Sequence, residues 1–240
     1  CILNERKKGG CSSCAPNCPH YIALNGLSGT GGRIGASGLP KDYRDLTLKT
    51  SPVRGEQAKI YGMLDGYIKT FERQFDAEGE RVKSLYLWSE SPGTGKTTTA
   101  SALLNEWLIA HYLGSLKRGQ QPSQLPSLML DVNELQTRYN LATMTDDKAE
   151  LDDIKRLMRK CMDVPFLVAD DVGIRSASES FKSIVHGIIN ARTTQSLPTV
   201  FTSNLPLDEM AKVFDARLAD RMRDMCAVLF FDGESKRGKR

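Results

Sequence analysis

With 240 residues, 40% of them apolar and 26% charged, the chain has the length for one α/β domain of ordinary size plus a small appendage. No stretch approaches the roughly 20 apolar residues of a membrane span and no apolar signal segment opens the chain, which argues against a membrane-spanning or exported protein and predicts a cytoplasmic one. A formal net charge of only +4 means that any basic surface for a polyanionic partner must be local.

The six cysteines are too unevenly placed for a disulfide framework. Cys11, Cys14 and Cys18 follow a C-x₂-C-x₃-C spacing on a loop rich in Gly, Pro, Ser and Asn, with Cys1 behind and His20 just ahead. Tight loops of this kind bring thiolates onto one tetrahedral ion, and so short a segment has no core to hold it otherwise. Residues 1–24 are therefore expected to bind zinc through Cys1, Cys11, Cys14 and Cys18, with His20 as the alternative fourth ligand. Cys161 and Cys226 lie in apolar surroundings and read as plain buried thiols. The chain opens on Cys1 rather than Met, which leaves room for residues upstream.

Residues 25–38 hold six glycines in 14 positions and, with no strand ahead of their Gly-x-Gly fragments, read as a linker. A compact domain is expected over 39–240. Glu56 to Phe75 sets Ile60, Leu64, Ile68, Phe71 and Phe75 at helical spacing. A polar connector then leads to LYLWSESPGTGKTTTA, Leu85 to Ala100, which reads as strand, glycine-rich turn and helix. Such a turn aims successive backbone N–H groups at one spot beside a helix N-terminus, a ready site for a polyphosphate. Pro92, Gly93, Thr94, Gly95, Lys96, Thr97 and Thr98 are the expected ATP-binding residues, Lys96 reaching the β- and γ-phosphates and the Thr97 hydroxyl sitting on Mg²⁺. The usual pattern has a glycine five residues before the Gly of Gly-Lys-Thr. Here that position is Glu90, whose carboxylate must face away from phosphate.

Leu103, Leu104, Trp107 and Leu108 form the buried stripe of the next helix, ending near Gly114. A polar loop from Ser115 to Ser127 precedes a short strand at Leu128 to Val132, a helix from Glu134, and an amphipathic helix marked by Leu151, Ile154, Leu157, Met158 and Cys161. Pro165 to Asp171 is a continuous apolar run capped by two carboxylates, the mark of a strand buried on both faces. At its carboxyl end Asp170 would hold Mg²⁺ through its water shell and Asp171 would polarise an attacking water. Beside the phosphate turn, that reading outweighs a plain pair of helix-capping carboxylates. Phe181, Ile184, Val185, Ile188 and Ile189 line a helix ending near Arg192. Pro198 to Asn204 is the next buried strand, whose closing amide would orient the hydrolytic water. Phe214 to Arg223 packs three arginines into a short helix, Cys226 to Phe231 is a final strand, and the tail carries Lys236, Arg237, Lys239 and Arg240.

These residues resemble the AAA+ ATPase core, and more closely the bacterial replicative helicase loaders of the DnaC/DnaI type, including versions carried by phages and mobile elements. The likeness rests on PGTGKT at 92–97, the strand ending Asp170-Asp171-Val172-Gly173, Thr202-Ser203-Asn204, and ARLADRMR at 216–223. It spans roughly 85–237, with looser likeness from Leu39. The resemblance implies a P-loop core with a mostly parallel sheet flanked by helices and no C-terminal lid domain, the Cys-rich segment matching loaders that begin with a zinc-binding domain. It also implies Asn204 as the first sensor, Arg217 as an arginine finger acting on a neighbouring subunit's nucleotide, with Arg221 and Arg192 as substitutes, and Arg237 as the second-sensor arginine. Asp171 stands where many members carry Glu, a shorter reach that implies slow hydrolysis, stimulated by DNA or a partner.

The function so implied is an ATP-dependent loader, a homo-oligomer that delivers a replicative DNA helicase onto single-stranded DNA. An IstB-type transposition helper ATPase shares the same core, and an ATP-binding, DNA-binding module with little turnover is the other alternative. A P-loop kinase would need an arginine-rich lid and an acceptor pocket within one subunit, in place of the Thr-Ser-Asn strand end and the terminal arginine helix.

Overall fold

The computed structural model describes residues 18–76, 78–173 and 177–233, which divide into two compact units. One takes the described residues up to Val82 together with Ser101–Met129; the other takes Lys83–Ala100 and the described residues from Leu130 onward.

In the first unit, helix α1 (Pro19–Asn25) starts with Pro19 in its first turn and ends at Gly26, φ 72°. Proline suits a helix start because it has no amide hydrogen to leave unpaired there. Helix α2 (Gly32–Ala36) follows after a short turn. Leu24 of α1 and Ile34 of α2 are buried against Leu108, Ile109 and Tyr112 of α4 (Lys96–Lys117). Residues 25–38, expected as a linker, are thus a packed corner. Its glycines serve close backbone approach: Gly32 has φ 61°, and a Cβ there would stand 2.5 Å from the Leu24 carbonyl oxygen. Arg33, 5% exposed, donates to the carbonyls of Ala23 (2.7 Å), Pro122 (2.8 Å) and Ser123 (2.8 Å). Burial holds its pKa below the ordinary guanidinium value. One buried side chain thereby ties down the polar loop after α4.

The helix expected over Glu56 to Phe75 is α3 (Ala58–Tyr67) continuing as a 3₁₀ segment (Ile68–Phe75). There the Thr70 and Gln74 side chains donate to the carbonyls of Tyr67 and Phe71, three residues back. Phe71 is fully buried and meets the Tyr67 and Trp107 rings edge-on.

The sheet comprises β1 (Ser84–Trp88), β2 (Ser127–Asp131), β3 (Phe166–Asp170), β4 (Thr199–Ser203) and β5 (Cys226–Phe230), in the order β2-β3-β4-β1-β5. β3 with β4, β4 with β1 and β1 with β5 pair in parallel. Every residue of β3 and β4 is buried, as their unbroken apolar runs predict for strands covered on both faces. Because β1 lies between β4 and β5, the strand order reverses beside it. The crevice at the carboxyl ends there is where such sheets bind ligands.

The remaining helices of the second unit are α5 (Val132–Thr145), α6 (Lys148–Asp163), α7 (Glu179–Gln195), α8 (Met210–Val213) and α9 (Ala216–Met225). Asp131, Asp147, Ser178 and Asp215 cap α5, α6, α7 and α9 by accepting from the amide three residues on, which satisfies one orphan donor in each. No helix among the described residues is long and apolar enough to cross a membrane. Cys161 and Cys226 are buried as expected, and burial pushes both thiols up to about 12.

Arg192, considered as a substitute finger, is corrected by its surroundings. It is 1% exposed and donates to Thr199 Oγ1 (2.8 Å), to the Cys161 and Val164 carbonyls (2.8 and 2.7 Å) and to the Pro198 carbonyl (2.9 Å). Burial brings its pKa down to about 10, and with four of its five N–H donors spent inside the fold the enclosed guanidinium is out of reach of a neighbouring subunit. Arg192→Met keeps bulk but removes those donors from four acceptors. It is expected to lower the unfolding free energy by about 3 kcal/mol or more, measured by urea denaturation; unchanged stability would contradict the stapling role.

Candidate functional site

The phosphate turn leaves β1 at Trp88 and enters α4 at Lys96. Gly93 (φ 75°) and Gly95 (φ 97°) are both left-handed, a conformation that side chains disfavour. The turn therefore needs glycine at both places. Glu90 is exposed, so the non-glycine position leaves the turn undisturbed. Lys96 is 8% exposed and its Nζ donates to the Ser91 carbonyl at 3.1 Å, folding the ammonium back over the turn. Thr97 and the buried Thr98 complete the first turn of α4. Pro92 is exposed at the rim.

At the end of β3, Asp170 is 8% exposed. It accepts from Thr97 Oγ1 at 3.0 and 3.1 Å and from Thr202 Oγ1 at 2.6 Å. Burial pushes its pKa above the ordinary carboxylate value, the Thr202 and Thr97 hydroxyls pull it back, and the Asp131 and Asp171 carboxylates add to the rise. A hydroxyl and a carboxylate facing each other in this way are the oxygen pair that a hard divalent cation uses.

Asp171 takes a left-handed backbone, φ 58°. Thr202 grips it from β4: Asp171 N donates to Thr202 Oγ1 and Val172 N to the Thr202 carbonyl, both at 2.9 Å. Asn133 Nδ2, in the first turn of α5, donates to Asp171 Oδ2 at 2.6 Å, and Asn204 Nδ2 lies 3.5 Å from Asp171 Oδ1. Thr94 Oγ1 and Asn204 Oδ1 are buried without a hydrogen-bond partner among the described residues. Buried polar atoms normally have partners. The two orphans, one in the phosphate turn and one beside Asp171, are the sort a bound ligand and its water would satisfy.

Thr97 is thus hydrogen-bonded to Asp170 and Asn204 lies beside Asp171, with Lys96 next to Thr97 at the start of α4. Two contributors went unread in the sequence. Thr202 spans both aspartates, although in the Thr-Ser-Asn triplet only the amide drew attention. Asn133 follows the end of a strand neighbouring β3, and a polar residue at that station was the available signal. Arg217 stands apart, exposed on α9, and among the described residues its guanidinium has no ion-pair partner. Arg221 is engaged, donating through Nη1 to Asn190 Oδ1. Arg237, Cys1, Cys11 and Cys14 lie outside the described residues. In the first unit Cys18 is the N-cap residue of α1, and His20 Nδ1 shares a 2.8 Å hydrogen bond with the Tyr112 hydroxyl. Among the described residues no group of three or more His, Cys, Asp or Glu side chains converges to hold a metal ion.

The strand order, the glycine turn and the paired carboxylates define a parallel α/β fold of the P-loop type. The chain is 27% identical over 151 residues to the replicative helicase loader DnaC of Escherichia coli strain K12, covering 63% of this chain and 55% of the relative. To the replicative helicase loader DnaI of Bacillus subtilis strain 168 it is 27% identical over 184 residues, covering 71% of this chain and 52% of that one. The crystal structure of the DnaC helicase loader shares the fold, with a TM-score of 0.55 at 21% identity over 80% of this chain and 100% of that chain. No protein-family model matches the chain. The chain spans about half the length of the curated relatives it matches. The resemblance to DnaC/DnaI-type loaders read from the motifs is borne out by these relatives.

Because burial raises Asp170 above its unfolded value, its contribution to stability is present below the ordinary carboxylate range and is lost as pH rises through the raised folded value. In nucleotide-free protein, Asp170→Asn is therefore expected to raise the thermal midpoint at about pH 8 and to give no such gain near about pH 4. Calorimetry at the two pH values checks this, and equal midpoints at the higher pH would contradict it.

Proposed function

We propose that the chain is an ATP-dependent loader that delivers a replicative DNA helicase onto single-stranded DNA, hydrolysing ATP at the subunit interfaces of a cytoplasmic oligomer. The ATPase half is supported by one observation, that the first turn of α4 meets Asp170 through Thr97 while Thr202 and Asn204 of the neighbouring strand end meet Asp170 and Asp171. The loader half rests on the relatives, which are named replicative helicase loaders.

The residues fit ATP and Mg²⁺, as the left-handed glycine pair, the buried lysine, the hydroxyl–carboxylate pair and the orphaned oxygens attest. Lys96, which donates to the Ser91 carbonyl, would turn to the β- and γ-phosphates, and Thr97 Oγ1 and Asp170 would hold the metal. Bound Mg²⁺ neutralises charge on the transferring phosphoryl group. Asp171 polarises the attacking water, and Asn204 orients it through Oδ1. Asn133 holds Asp171 in place but competes for a lone pair of the same carboxylate, which together with the short aspartate side chain favours slow turnover until DNA or a partner intervenes. Arg217 serves the nucleotide of the neighbouring subunit, a reading supported by its exposure. Arg237 follows as second sensor from the family likeness. Oligomerisation lines up one basic patch per subunit along single-stranded DNA, so a modest net charge suffices.

The direct test is capture of the host's replicative helicase by the immobilised full chain, with and without ATP. The wild type is expected to retain the helicase. Lys96→Ala is expected to bind ATP about 100-fold more weakly, the loss of a charge-assisted phosphate contact, and to lose any ATP response. Failure to retain helicase under either condition removes the loader reading while leaving the ATPase, whereas failure of the wild type to bind ATP removes both.

Zinc binding by the N-terminal cysteines is proposed on their spacing. With His20 Nδ1 engaged by Tyr112, Nε2 is the nitrogen by which that residue would join the thiolates, oriented as metal-bound histidines usually are. Metal analysis should find about one equivalent of zinc per chain. Less than about half an equivalent, with freely titratable thiols, would overturn the idea.

A further inference from the structure

Helix α9 carries Arg217 in its first turn, two residues after the cap Asp215. A cation there opposes the helix dipole, whose positive end is the N-terminus. The helix has only ten residues and relies on tertiary contacts to hold its ends. Asp215 supplies the first: Oδ1 accepts from Leu218 N at 2.8 Å, while Oδ2 pairs with His186 Nε2 of α7 at 3.0 Å. One turn further along α7, on the same face, Asn190 Oδ1 accepts from Arg221 of α9. Arg217, between the two tethered positions in sequence, lines an open groove of about 710 Å³ together with Thr194 and Leu218.

We propose that His186 and Asn190 are positioning residues for Arg217, a two-point clasp by which α7 fixes the first two turns of α9 and so the direction in which that guanidinium leaves the surface. This rests on the reading of Arg217 as a group acting on a neighbouring subunit's nucleotide. The clasp adds what that reading lacks, a reason for an exposed arginine on a short helix to be aimed. His186 and Asp215 are 38% and 49% exposed, and a polar contact so wet contributes little to global stability. A local role is where their effect should appear. The backbone N–H of Leu218, and then the neighbouring His186, hold the Asp215 carboxyl below the usual range, consistent with a cap that stays ionised. Among the described residues the side chains of His186 and Asn190 bond to Asp215 and Arg221 rather than to the phosphate turn, so nucleotide affinity is not expected to depend on them.

The test compares His186→Ala, His186→Gln, Asn190→Ala, Arg217→Ala and the double variant His186→Ala/Arg217→Ala in the full chain, reading DNA-stimulated hydrolysis and amide exchange in α9. His186→Ala and Asn190→Ala should each lower kcat about tenfold with KM for ATP unchanged, the cost of a misdirected group. The Leu218 amide should exchange at least about tenfold faster in His186→Ala, without loss of global stability. His186→Gln, which keeps a side-chain donor, should restore much of both. The double variant should be no slower than Arg217→Ala alone, because one residue acts through the other. If Arg217→Ala alone leaves hydrolysis unchanged, the finger reading falls. If Arg217→Ala is impaired while His186→Ala is not, or the two losses multiply, the clasp falls by itself. Unchanged Leu218 exchange in His186→Ala overturns it whichever way Arg217 behaves.

Discussion

A buried carboxylate with no lysine or arginine partner among the described residues is the constraint on which the second unit turns. Asp170 is nearly enclosed, and burial disfavours its charged form. What makes it tolerable is donation from two hydroxyls, Thr97 Oγ1 and Thr202 Oγ1. Thr97 belongs to the first turn of α4 and Thr202 to β4, so one acceptor ties a helix start and two strands together where the glycine turn opens. Hydroxyls are weaker compensation than a full positive charge. The site is therefore stable enough to persist and electrostatically incomplete enough to favour a cation.

Sheet register extends that local compromise into the arrangement proposed to hold nucleotide. Ala169 pairs with Phe201, which brings the next residues along, Asp170 and Thr202, side by side. A slip by one residue would bring Phe201 or Ser203 to Asp170 and turn every side chain of the strand to the other face. The same Thr202 accepts from Asp171 N and offers its carbonyl to Val172 N. That grip offsets a left-handed aspartate, a conformation that costs on the order of 1–3 kcal/mol. Strain of this kind persists only where neighbours over-determine it, and here β4 supplies both contacts. The carboxylate that leaves the strained residue meets amides from two other elements, Asn133 and Asn204.

How much of this is legible in the sequence depends on whether the deciding contact is local. The phosphate turn and the Asp170-Asp171 pair are legible because an unbroken apolar run announces a doubly covered strand and the polar residues sit at its end. Asn133 is not, because its partner lies 38 residues away and only the strand order brings the two together. The 25–38 corner is not, because glycine enrichment marks both loose coil and backbone packed too closely for a Cβ. Only the neighbours decide, and here they are the Leu24 and Thr30 carbonyl oxygens, each 2.5 Å from a Cβ built on Gly32 or Gly35. Helix capping falls between: Asp131, Asp147, Ser178 and Asp215 are recognisable types, but Asp215 has a second duty toward His186 that spacing does not reveal.

The arginines give the sharpest form of the same point, since one residue type does opposite things according to its depth. Arg33 and Arg192, each within its own unit, are buried and turn their guanidinium donors onto carbonyl oxygens at loop and helix ends. The planar fork suits that task, because several donors leave one rigid group in fixed directions. Burial lowers the pKa of both, that of Arg192 to about 10, and each serves as a staple whose donors are largely spent inside the fold. Arg217 has the same fork and, among the described residues, no ion-pair partner. An arginine at the wrong end of a helix dipole, exposed and unpaired, costs stability where alanine would not. His186 and Asn190 hold that helix through Asp215 and Arg221, which is the restraint that the role proposed for Arg217 toward a second subunit calls for: a helix start that does not fray and a direction that does not wander.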